Sequence, residues 1–250
     1  MTVRTRFVLV ETSHAGNVGA VARAMKVMGF DDLVLVRPRW PDVLQHQEAL
    51  DRASGANDVL AKARVVQDLH EALDGMTHVC ATAMTPRDFG PPTRTPREHM
   101  PAVASAGQAG VAFVFGSERY GMRNEDVYRC HVCLQIPTVG DYGSLNIAAA
   151  LQLVAYEWRL ALDASAGACL GDETQKTAST PRADAAAVAG LLQHWEQALV
   201  SVGYLDPAAP KKLMPRLQQL LNRAEVTAEE IHILRGVAKA MLDTAAQAKR

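Results

Sequence analysis

Three short loops hold the side chains that could do chemistry, and each of them follows an apolar, strand-like run. They are residues 12–17 (TSHAGN), 116–121 (GSERYG) and 139–143 (VGDYG). The carboxyl ends of parallel strands meet at one edge of an open sheet, where such sheets bind their ligands. Glycines let a ligand approach the backbone closely, and the free N–H groups at a helix start can hold it. The sequence therefore predicts a ligand site where the three loops meet, although for the third loop alone an ordinary strand-to-helix connection is an equal alternative.

Charged side chains stand in or just after two of these loops. Arg23 lies two turns into the helix predicted after the first loop, and Glu118 and Arg119 lie in the second loop. Arginine is usually a surface residue, so a solvated Arg23 is the plain alternative to a catalytic one. The pair Glu118 and Arg119 either belongs to a solvated turn or orients a substrate.

Several common sites fit the sequence poorly. A dinucleotide fingerprint needs G-x-G-x-x-G after the first strand, whereas only Gly16 and Gly19 stand there, so a nucleotide-dependent dehydrogenase is disfavoured. The sequence also contains no P-loop motif. Cys130-x-x-Cys133 resembles half a zinc site or a redox pair. Because no second pair stands at zinc-finger spacing, a structural role for both cysteines is favoured.

The composition is that of a globular protein without a strong overall charge. The 250 residues are 48% apolar and 21% charged, with a formal net charge of −1. RNA binding would therefore depend on local basic patches. No run approaches the ~20 apolar residues of a membrane span, nothing near the start reads as a signal peptide, and the cysteines do not suggest a disulfide framework. We expect a cytoplasmic protein with no membrane association.

Apolar strands alternate with helical patterns over the first two thirds of the chain. Strands are predicted at 6–11, 33–36, 64–66, 77–82, 110–115 and 132–136. Asn17 is predicted to cap a helix over 17–28 that Gly29 ends, and Ser144 to cap a helix over 145–162. This alternation predicts an α/β fold whose parallel sheet is covered on both faces.

The composition changes after Leu162. We predict a sheet domain over residues 1–163, a linker over 164–183 and a small all-helical C-terminal appendage over 184–250. Helical patterns cover 184–202, 211–222 and 227–249 in the appendage. The last of them opens with Thr227-x-x-Glu230, a capping box.

The three loops, taken in order, resemble one family. Asn17-x-Gly19-x-x-x-Arg23, then Phe115-Gly116-x-Glu118-x-x-Gly121, then Ser144-Leu145-Asn146 is similar to the motifs of the SPOUT class of RNA 2′-O-ribose methyltransferases. The start ETSHAGNVGAVARAM, the sequence ERYGMRNED and the tail with HILRG resemble its TrmJ-type branch. The resemblance covers nearly the whole chain.

That resemblance implies a fold, a reaction and partners. The fold would be a parallel-sheet α/β SPOUT fold with a C-terminal trefoil knot, forming a homodimer with its active site at the subunit interface. The donor would be S-adenosyl-L-methionine, released as S-adenosyl-L-homocysteine, and no metal would be needed. The substrate would be the ribose 2′-hydroxyl of a cytidine or uridine at nucleotide 32, the first of the anticodon loop of tRNA. Another tRNA or rRNA site, or an RNA-binding relative without catalysis, is the alternative.

Individual positions carry over from the family. Those that match its cofactor site are Thr82, Ala83, Met84, Gly116, Ile136, Gly143, Ser144 and Leu145. Those that match its catalytic site are Arg23, Ser144, Asn146, Asn17 and Glu118. Apart from the family motifs, clustered basic residues are expected to contact RNA: Arg87, Arg119 and Arg123 in the sheet domain and Lys211, Lys212 and Arg216 in the tail. For the tail residues, the solvated face of an amphipathic helix is an equal alternative.

The chain also departs from close relatives of that family. Thr85 and Pro86 replace a more polar pair in the donor loop, and Ser117 stands where arginine is common. For Arg23 we expect an electrostatic role toward the developing alkoxide, because a guanidinium holds its proton firmly. Ser144 and Asn146 would position the ribose or the groups that contact Arg23, and Glu118 would orient an arginine or a backbone amide.

Overall fold

The protein forms one seven-stranded sheet with helices on both faces. The computed structural model describes residues 3–83, 88, 90–139, 143–168 and 182–248. The strands are β1 Arg4–Val10, β2 Asp32–Val36, β3 Arg64–Val66, β4 His78–Thr82, β5 Thr93–Arg94, β6 Gly110–Phe115 and β7 Val132–Leu134. The helices are α1 Ala15–Val27, α2 Gln47–Ala53, α3 Asn57–Lys62, α4 Leu69–Ala72, α5 Pro96–Ser105, α6 Asn124–Tyr128, α7 Ile147–Ala168, α8 Ala185–Ser201, α9 Leu213–Ala224 and α10 Ala228–Ala248, with a short 3₁₀ turn at Val43–Gln45.

The strand order is β3-β2-β1-β6-β4-β7-β5, and every described pairing is parallel. The predicted parallel α/β sheet is therefore confirmed. The last strand of the sequence, β7, lies between two earlier strands, with Cys133 opposite both Ala81 of β4 and Thr93 of β5. Because all strands point the same way, the loops after β1, β4, β6 and β7 come together at one edge of the sheet.

Each face of the sheet buries its own apolar layer. One layer lies under α1, α2, α3, α5 and α7 and includes Phe7, Phe113 and the fully buried Trp158. The Trp158 indole N–H donates to Thr5 Oγ1 at 2.8 Å, which satisfies its polar atom inside the layer. The other layer lies under α4 and α6. Near-continuous burial of β1 and β6 explains why their sequences read as unbroken apolar runs.

Two helix starts differ from the prediction. α1 begins at Ala15 with His14 at the N-cap position, so Asn17 lies inside the first turn and is not the cap. α7 begins at Ile147, and the side chain of Asn146 accepts from the Ala148 N–H at 2.9 Å. Asn146, and not Ser144, therefore caps α7. Gly29 has a φ of 76° directly after the α1 C-cap, as predicted for the residue that ends that helix.

α7 is longer than predicted and runs into the segment assigned to the linker. It extends to Ala168, with Ala161 buried and Ser165 Oγ donating to the Ala104 carbonyl at 3.4 Å. Most of the remaining linker segment, residues 169–181, lies outside the described part of the chain. The division into domain, linker and appendage stays a prediction.

The last three helices pack around a third apolar cluster that includes Val188, Leu191, Leu221 and Ile231. The predicted capping box of α10 is confirmed, because the Glu230 N–H donates to Thr227 Oγ1 and the Thr227 N–H donates to a Glu230 carboxylate oxygen. These helices also contact the sheet layer. The Ala185 N–H donates to the Met76 carbonyl at 2.9 Å, and the Asn222 side chain donates to the Cys130 carbonyl at 3.1 Å. In the described residues, no helix is long and apolar enough to cross a membrane.

Candidate active site

A cavity of about 600 Å³ opens at the carboxyl edge of the sheet. Its size is in the range typical of small-molecule sites, roughly 300–1,000 Å³. The lining residues come from the ends of β4, β6 and β7 and from all three loops that the sequence singled out. They include His14, Asn17, Thr82, Ala83, Gly116, Glu118, Arg119, Tyr120, Gln135, Ile136, Thr138, Gly143, Ser144, Leu145 and Asn146.

Glu118 joins the first loop to the second. Its carboxylate accepts from Thr12 Oγ1 at 2.8 Å, from both the N–H and Oγ of Ser13 at 2.9 Å, and from Asn17 Nδ2 at 2.9 Å. The sequence predicts that Glu118 orients either an arginine or a backbone amide, and in the structure it accepts from the backbone N–H of Ser13. A carboxylate that accepts four hydrogen bonds fixes the groups around it more firmly than it could act as a mobile base.

The same contacts set the ionisation of Glu118. Burial favours the neutral form, but the hydrogen bonds from Asn17, Ser13 and Thr12 outweigh it and lower the pKa of Glu118 to about 2. Glu118 is therefore a carboxylate over the whole physiological pH range.

Asn17 and Asn146 join the first loop to the third. Asn146 Nδ2 donates to Asn17 Oδ1 at 3.0 Å, while the Asn146 side-chain oxygen caps α7. Glu118, Asn17 and Asn146 thus form one chain of hydrogen bonds across three loops that are far apart in sequence. Because both functions of the Asn17 amide are used, its orientation is fixed by its two neighbours.

The second loop is a tight turn closed by two backbone hydrogen bonds between Ser117 and Gly121. A Cβ placed on Gly116 would lie 2.1 Å from the Gly121 carbonyl carbon, so no side chain fits there. Gly121 itself has a φ of 66°, which glycine adopts readily. At the tip, Arg119 lies over the exposed ring of Tyr120, 5.2 Å from its centre.

Seven of the eight positions predicted for the cofactor line this one cavity. They are Thr82, Ala83, Gly116, Ile136, Gly143, Ser144 and Leu145. The eighth, Met84, lies outside the described residues, as do Thr85, Pro86 and the RNA-binding candidate Arg87. The roles of these residues remain predictions, but their convergence on one cavity is a property of the fold.

Arg23 stands apart from the other four catalytic candidates. It is exposed on α1 and is not among the described residues that line the cavity. α1 and α7 run side by side in the same direction, because Asn17 contacts Asn146 at their starts and Arg159 donates to the Met28 carbonyl at their other ends.

The outer side of α7 carries an apolar stripe. Leu153, Tyr156 and Leu160 lie at helical spacing, and between 43% and 46% of each residue is exposed.

The RNA-binding candidates are spread over the molecule. Arg119 lines the cavity, while Arg123 makes an ion pair with Glu11 at 2.8 Å. Lys211, Lys212 and Arg216 are exposed around the start of α9 and are not among the described residues that line the cavity.

Sequence reasoning did not single out several polar lining or supporting residues. Thr12 and Ser13 hold Glu118, and Gln135 and Thr138 line the cavity. Thr12 carried a usable signal, since a polar residue directly after an apolar strand marks the edge where ligands bind. For Gln135 and Thr138, the sequence carried no signal other than their position after β7.

The cysteine motif has the expected structural character. Cys130 and Cys133 are both buried and neither forms a disulfide among the described residues, and the Cys130 thiol donates to the Asp126 carbonyl at 3.3 Å. Burial raises the pKa of the Cys130 thiol, which keeps it protonated and unreactive.

A parallel α/β sheet with a cavity at its carboxyl edge, bounded by glycine loops and a hydrogen-bonded polar chain, defines an α/β enzyme rather than a structural protein. Comparison with known proteins makes this specific. The SpoU rRNA Methylase family model matches residues 4–156, and the model for the C-terminal domain of tRNA methyltransferase TrmJ matches residues 186–250. The chain belongs to the SpoU methylase family, in its TrmJ branch.

Individual relatives agree. A tRNA (cytidine/uridine/adenosine-2′-O-)-methyltransferase TrmJ from Pseudomonas aeruginosa is 41% identical over 95% of this chain and 93% of its own length. The crystal structure of TrmJ from Z. mobilis is similar with a TM-score of 0.79 and 32% identity, covering 96% of this chain and 99% of that one. An AdoMet-bound rRNA methyltransferase from Sinorhizobium meliloti shares the fold, with a TM-score of 0.51 and 22% identity over 64% of this chain and 57% of that one.

Proposed function

We propose that this protein transfers a methyl group from S-adenosyl-L-methionine to the ribose 2′-hydroxyl of cytidine or uridine at nucleotide 32 of tRNA, the first nucleotide of the anticodon loop. The observation that carries the proposal is the convergence of the three motif loops on one cavity, joined by Glu118, Asn17 and Asn146. Membership of the TrmJ branch supports tRNA as the substrate.

The cavity fits the proposed methyl donor. Gly116 packs directly against the backbone of Gly121 and Met122, which fixes the second loop at the cavity wall. The lining residues between Ile136 and Asn146 have backbone groups outside any described strand or helix. Such groups can hydrogen-bond an adenosine without charged side chains. Thr82, Ala83, Gly116, Ile136, Gly143, Ser144 and Leu145 would hold it. The bound donor supplies a methyl group on a sulfonium, whose leaving group departs neutral.

The protein's own task is then to align and stabilise the attacking ribose oxygen. A ribose hydroxyl becomes a good nucleophile only as its proton leaves, and negative charge grows on the oxygen. Arg23 would stabilise that charge as a fixed cation, and a phosphate oxygen or water would take the proton. Ser144 and Asn146, at the start of α7, would position the ribose.

The placement of Arg23 favours a homodimer. Arg23 is exposed on α1 and is not among the described residues that line the cavity of its own chain, and α7, which packs against α1, carries the apolar stripe. A second copy packed on that stripe would bring Arg23 of one subunit toward the cavity of the other. The dimer would therefore complete the site.

Three further features belong to the proposal. The C-terminal part of the sheet domain would form a trefoil knot, supported by the position of β7 between β4 and β5 and by the packing of α7 on α1 and α5. The helical region over 184–250 would act as a separate RNA-binding appendage through Lys211, Lys212 and Arg216. The enzyme would work in the cytoplasm.

The test is methyl transfer by the purified full chain to unmodified tRNA transcripts, with the modified ribose mapped by its resistance to alkaline cleavage. We expect one 2′-O-methyl group at nucleotide 32 that depends on S-adenosyl-L-methionine. Methylation only at another position would overturn the site assignment. Binding of tRNA without any methylation would identify a non-catalytic relative.

A further inference from the structure

A cluster of histidines and a cysteine lies away from the cavity, between β4 and α5. His78 and Cys80 are two residues apart on β4, so their side chains point to the same face of the sheet. His99 lies on α5. The Nε2 atoms of His78 and His99 are 3.0 Å apart, and the ring of His131 lies 4.9 Å from that of His78. The methyl-transfer chemistry uses none of these residues.

The donor atoms of three of these residues converge. One ligand atom from each of His78, Cys80 and His99 lies within 4.8 Å of the others. A zinc ion holds nitrogen at about 2.0–2.1 Å and sulfur at about 2.3 Å. Tetrahedral geometry then places two nitrogens about 3.3 Å apart, and nitrogen and sulfur about 3.6 Å apart. The two histidine nitrogens would need to separate by only about 0.3 Å, and the thiol would move by no more than about 1.2 Å.

The hydrogen bonding of this cluster is incomplete in the protein alone. His78 is 5% exposed, and its Nδ1 has no hydrogen-bond partner among the described residues. The orphaned atom is not the Nε2 that faces His99, so a metal held by Nε2 would leave Nδ1 unsatisfied, and this atom lies outside the proposed site.

The chemistry of the cluster selects the ion. Two imidazoles and a thiol suit zinc, whereas magnesium and calcium need oxygen ligands. Burial raises the pKa of the Cys80 thiol, so a bound ion must displace the thiol proton, and the thiolate charge would then offset the neighbouring Arg182 and Arg94. His131 accepts from the Val79 N–H through Nδ1, which leaves its proton on the other nitrogen and makes it a supporting neighbour rather than a ligand.

We propose that His78, Cys80 and His99 supply three protein ligands of a zinc site that joins β4 to α5. β4 ends at Thr82, which lines the cavity together with Ala83, and α5 begins at Pro96. The ion would therefore join α5 to the strand whose carboxyl end lines the donor cavity. It takes no part in methyl transfer, and the proposal stands whether or not the chain methylates tRNA.

The test uses the reduced, chelator-treated full chain without an added histidine tag, titrated with Co²⁺ and then Zn²⁺. The variants are His99→Gln and Cys80→Ala, with Cys130→Ala as the matched buried-thiol control. We expect the wild type and Cys130→Ala to bind one Co²⁺ with a thiolate charge-transfer band that Zn²⁺ abolishes. Each ligand variant should bind at least roughly tenfold more weakly, in line with the loss of a group that holds the metal.

A second measurement protects the test against a variant that does not fold. Zn²⁺ should raise the thermal midpoint of the wild type and of Cys130→Ala, because an ion that binds only the folded state stabilises it. The proposal is overturned if the wild type does not bind about one Co²⁺ per chain and its thermal midpoint does not rise when Zn²⁺ is added. Wild-type-like binding in both His99→Gln and Cys80→Ala overturns it as well.

Discussion

Glu118 is the residue on which the geometry of the first two loops depends. Thr12, Ser13 and Asn17 all donate to its carboxylate, and together they satisfy a charge that is half-removed from water. Replacing it with glutamine exchanges an acceptor oxygen for an amide that donates. The loss of charge-assisted hydrogen bonds should cost about 1–3 kcal/mol in the free energy of unfolding.

The stability effect of Glu118→Gln should depend on pH. The pKa of Glu118 is about 2 in the folded protein and 4.5 for the free group. A depressed pKa stabilises the folded state above the unfolded value, and this contribution is lost as the pH falls toward the folded value. Denaturant unfolding of wild type and variant should therefore differ most at pH 6–7 and converge between about pH 4.5 and 2. A difference that stays constant over this range would contradict the ionised, hydrogen-bonded carboxylate.

Arg23 should matter for turnover and not for folding or donor binding. It is exposed, so Arg23→Ala leaves no cavity and no buried partner. Loss of a group that stabilises developing charge should slow single-turnover methylation on the order of 100-fold or more. Arg23→Lys should recover only part of the rate, because lysine keeps the charge but not the planar fork. Arg52→Ala, an exposed arginine on α2, is the control, and an Arg23→Ala rate close to wild type would remove Arg23 from the site.

At the scale of elements, the start of α7 combines a helix cap with a contact between loops. The two roles of Asn146 can be separated by substitution. Asn146→Ala loses both the cap and the bond to Asn17, and should cost about 0.5–2 kcal/mol. Asn146→Asp keeps a capping oxygen but cannot donate to Asn17, so it should be folded nearly as stably and yet bind S-adenosyl-L-homocysteine more weakly. Equal stability of both variants in denaturant unfolding would show that Asn146 does not cap the helix.

Six of the seven strands could be predicted from the sequence, whereas the two-residue strand β5, the short helix α6 and the contacts that select between neighbouring cap residues could not. β1, β4, β6 and β7 are buried on both faces, so their apolar runs carry a strong local signal. Ser144 and Asn146 are both good caps by type. Asn17, more than a hundred residues earlier in the chain, decides between them through a tertiary contact that no local pattern contains.

In the candidate site, too, some residues could be predicted from the sequence and others could not. The glycine loops and their order could be predicted because the reason for a glycine such as Gly116 is local: the backbone of Gly121, five residues on, leaves no room for a side chain. Thr12 and Ser13 could not be ranked, because their role comes from a carboxylate in the second loop. The position of Arg23 outside its own cavity also follows only from how α1 packs beside α7.

For the whole molecule, the exposed stripe on α7 predicts the assembly. Leu153, Tyr156 and Leu160 together present more apolar surface than one helix face usually leaves to water. Leu153→Glu combined with Leu160→Glu should give a monomer in sedimentation, with methylation lost because Arg23 no longer reaches a partner's cavity. Ile233→Glu, at an exposed apolar position on α10, should leave the mass unchanged. A wild-type mass near 27.0 kDa at micromolar concentration would contradict the dimer.

The basic residues around α9 predict a salt-dependent interaction with tRNA. Every cation that no longer neutralises a phosphate should flatten the dependence of log affinity on log salt by roughly one. Replacing Lys211, Lys212 and Arg216 with glutamine should therefore weaken tRNA binding and reduce the slope by up to about three, while S-adenosyl-L-homocysteine binding stays the same. Lys239→Gln on α10 is the control. An unchanged slope would mean that RNA is bound by the sheet region alone.

The position of β7 between β4 and β5 has a consequence for how the chain is made. Residues 78–94 leave the ribosome before the strand that must separate β4 from β5 exists, so that edge of the sheet cannot be completed as it emerges. Pairings between strands distant in sequence form slowly, because the intervening loop must close first. The sheet therefore stays incomplete until β7 has emerged and paired with β4 and β5, and the wall that carries Thr82, Ile136 and Ser144 cannot form before then. The newborn chain is without its methyl-donor cavity until this late step, and a molecule that stalls there exposes an unpaired strand to its neighbours.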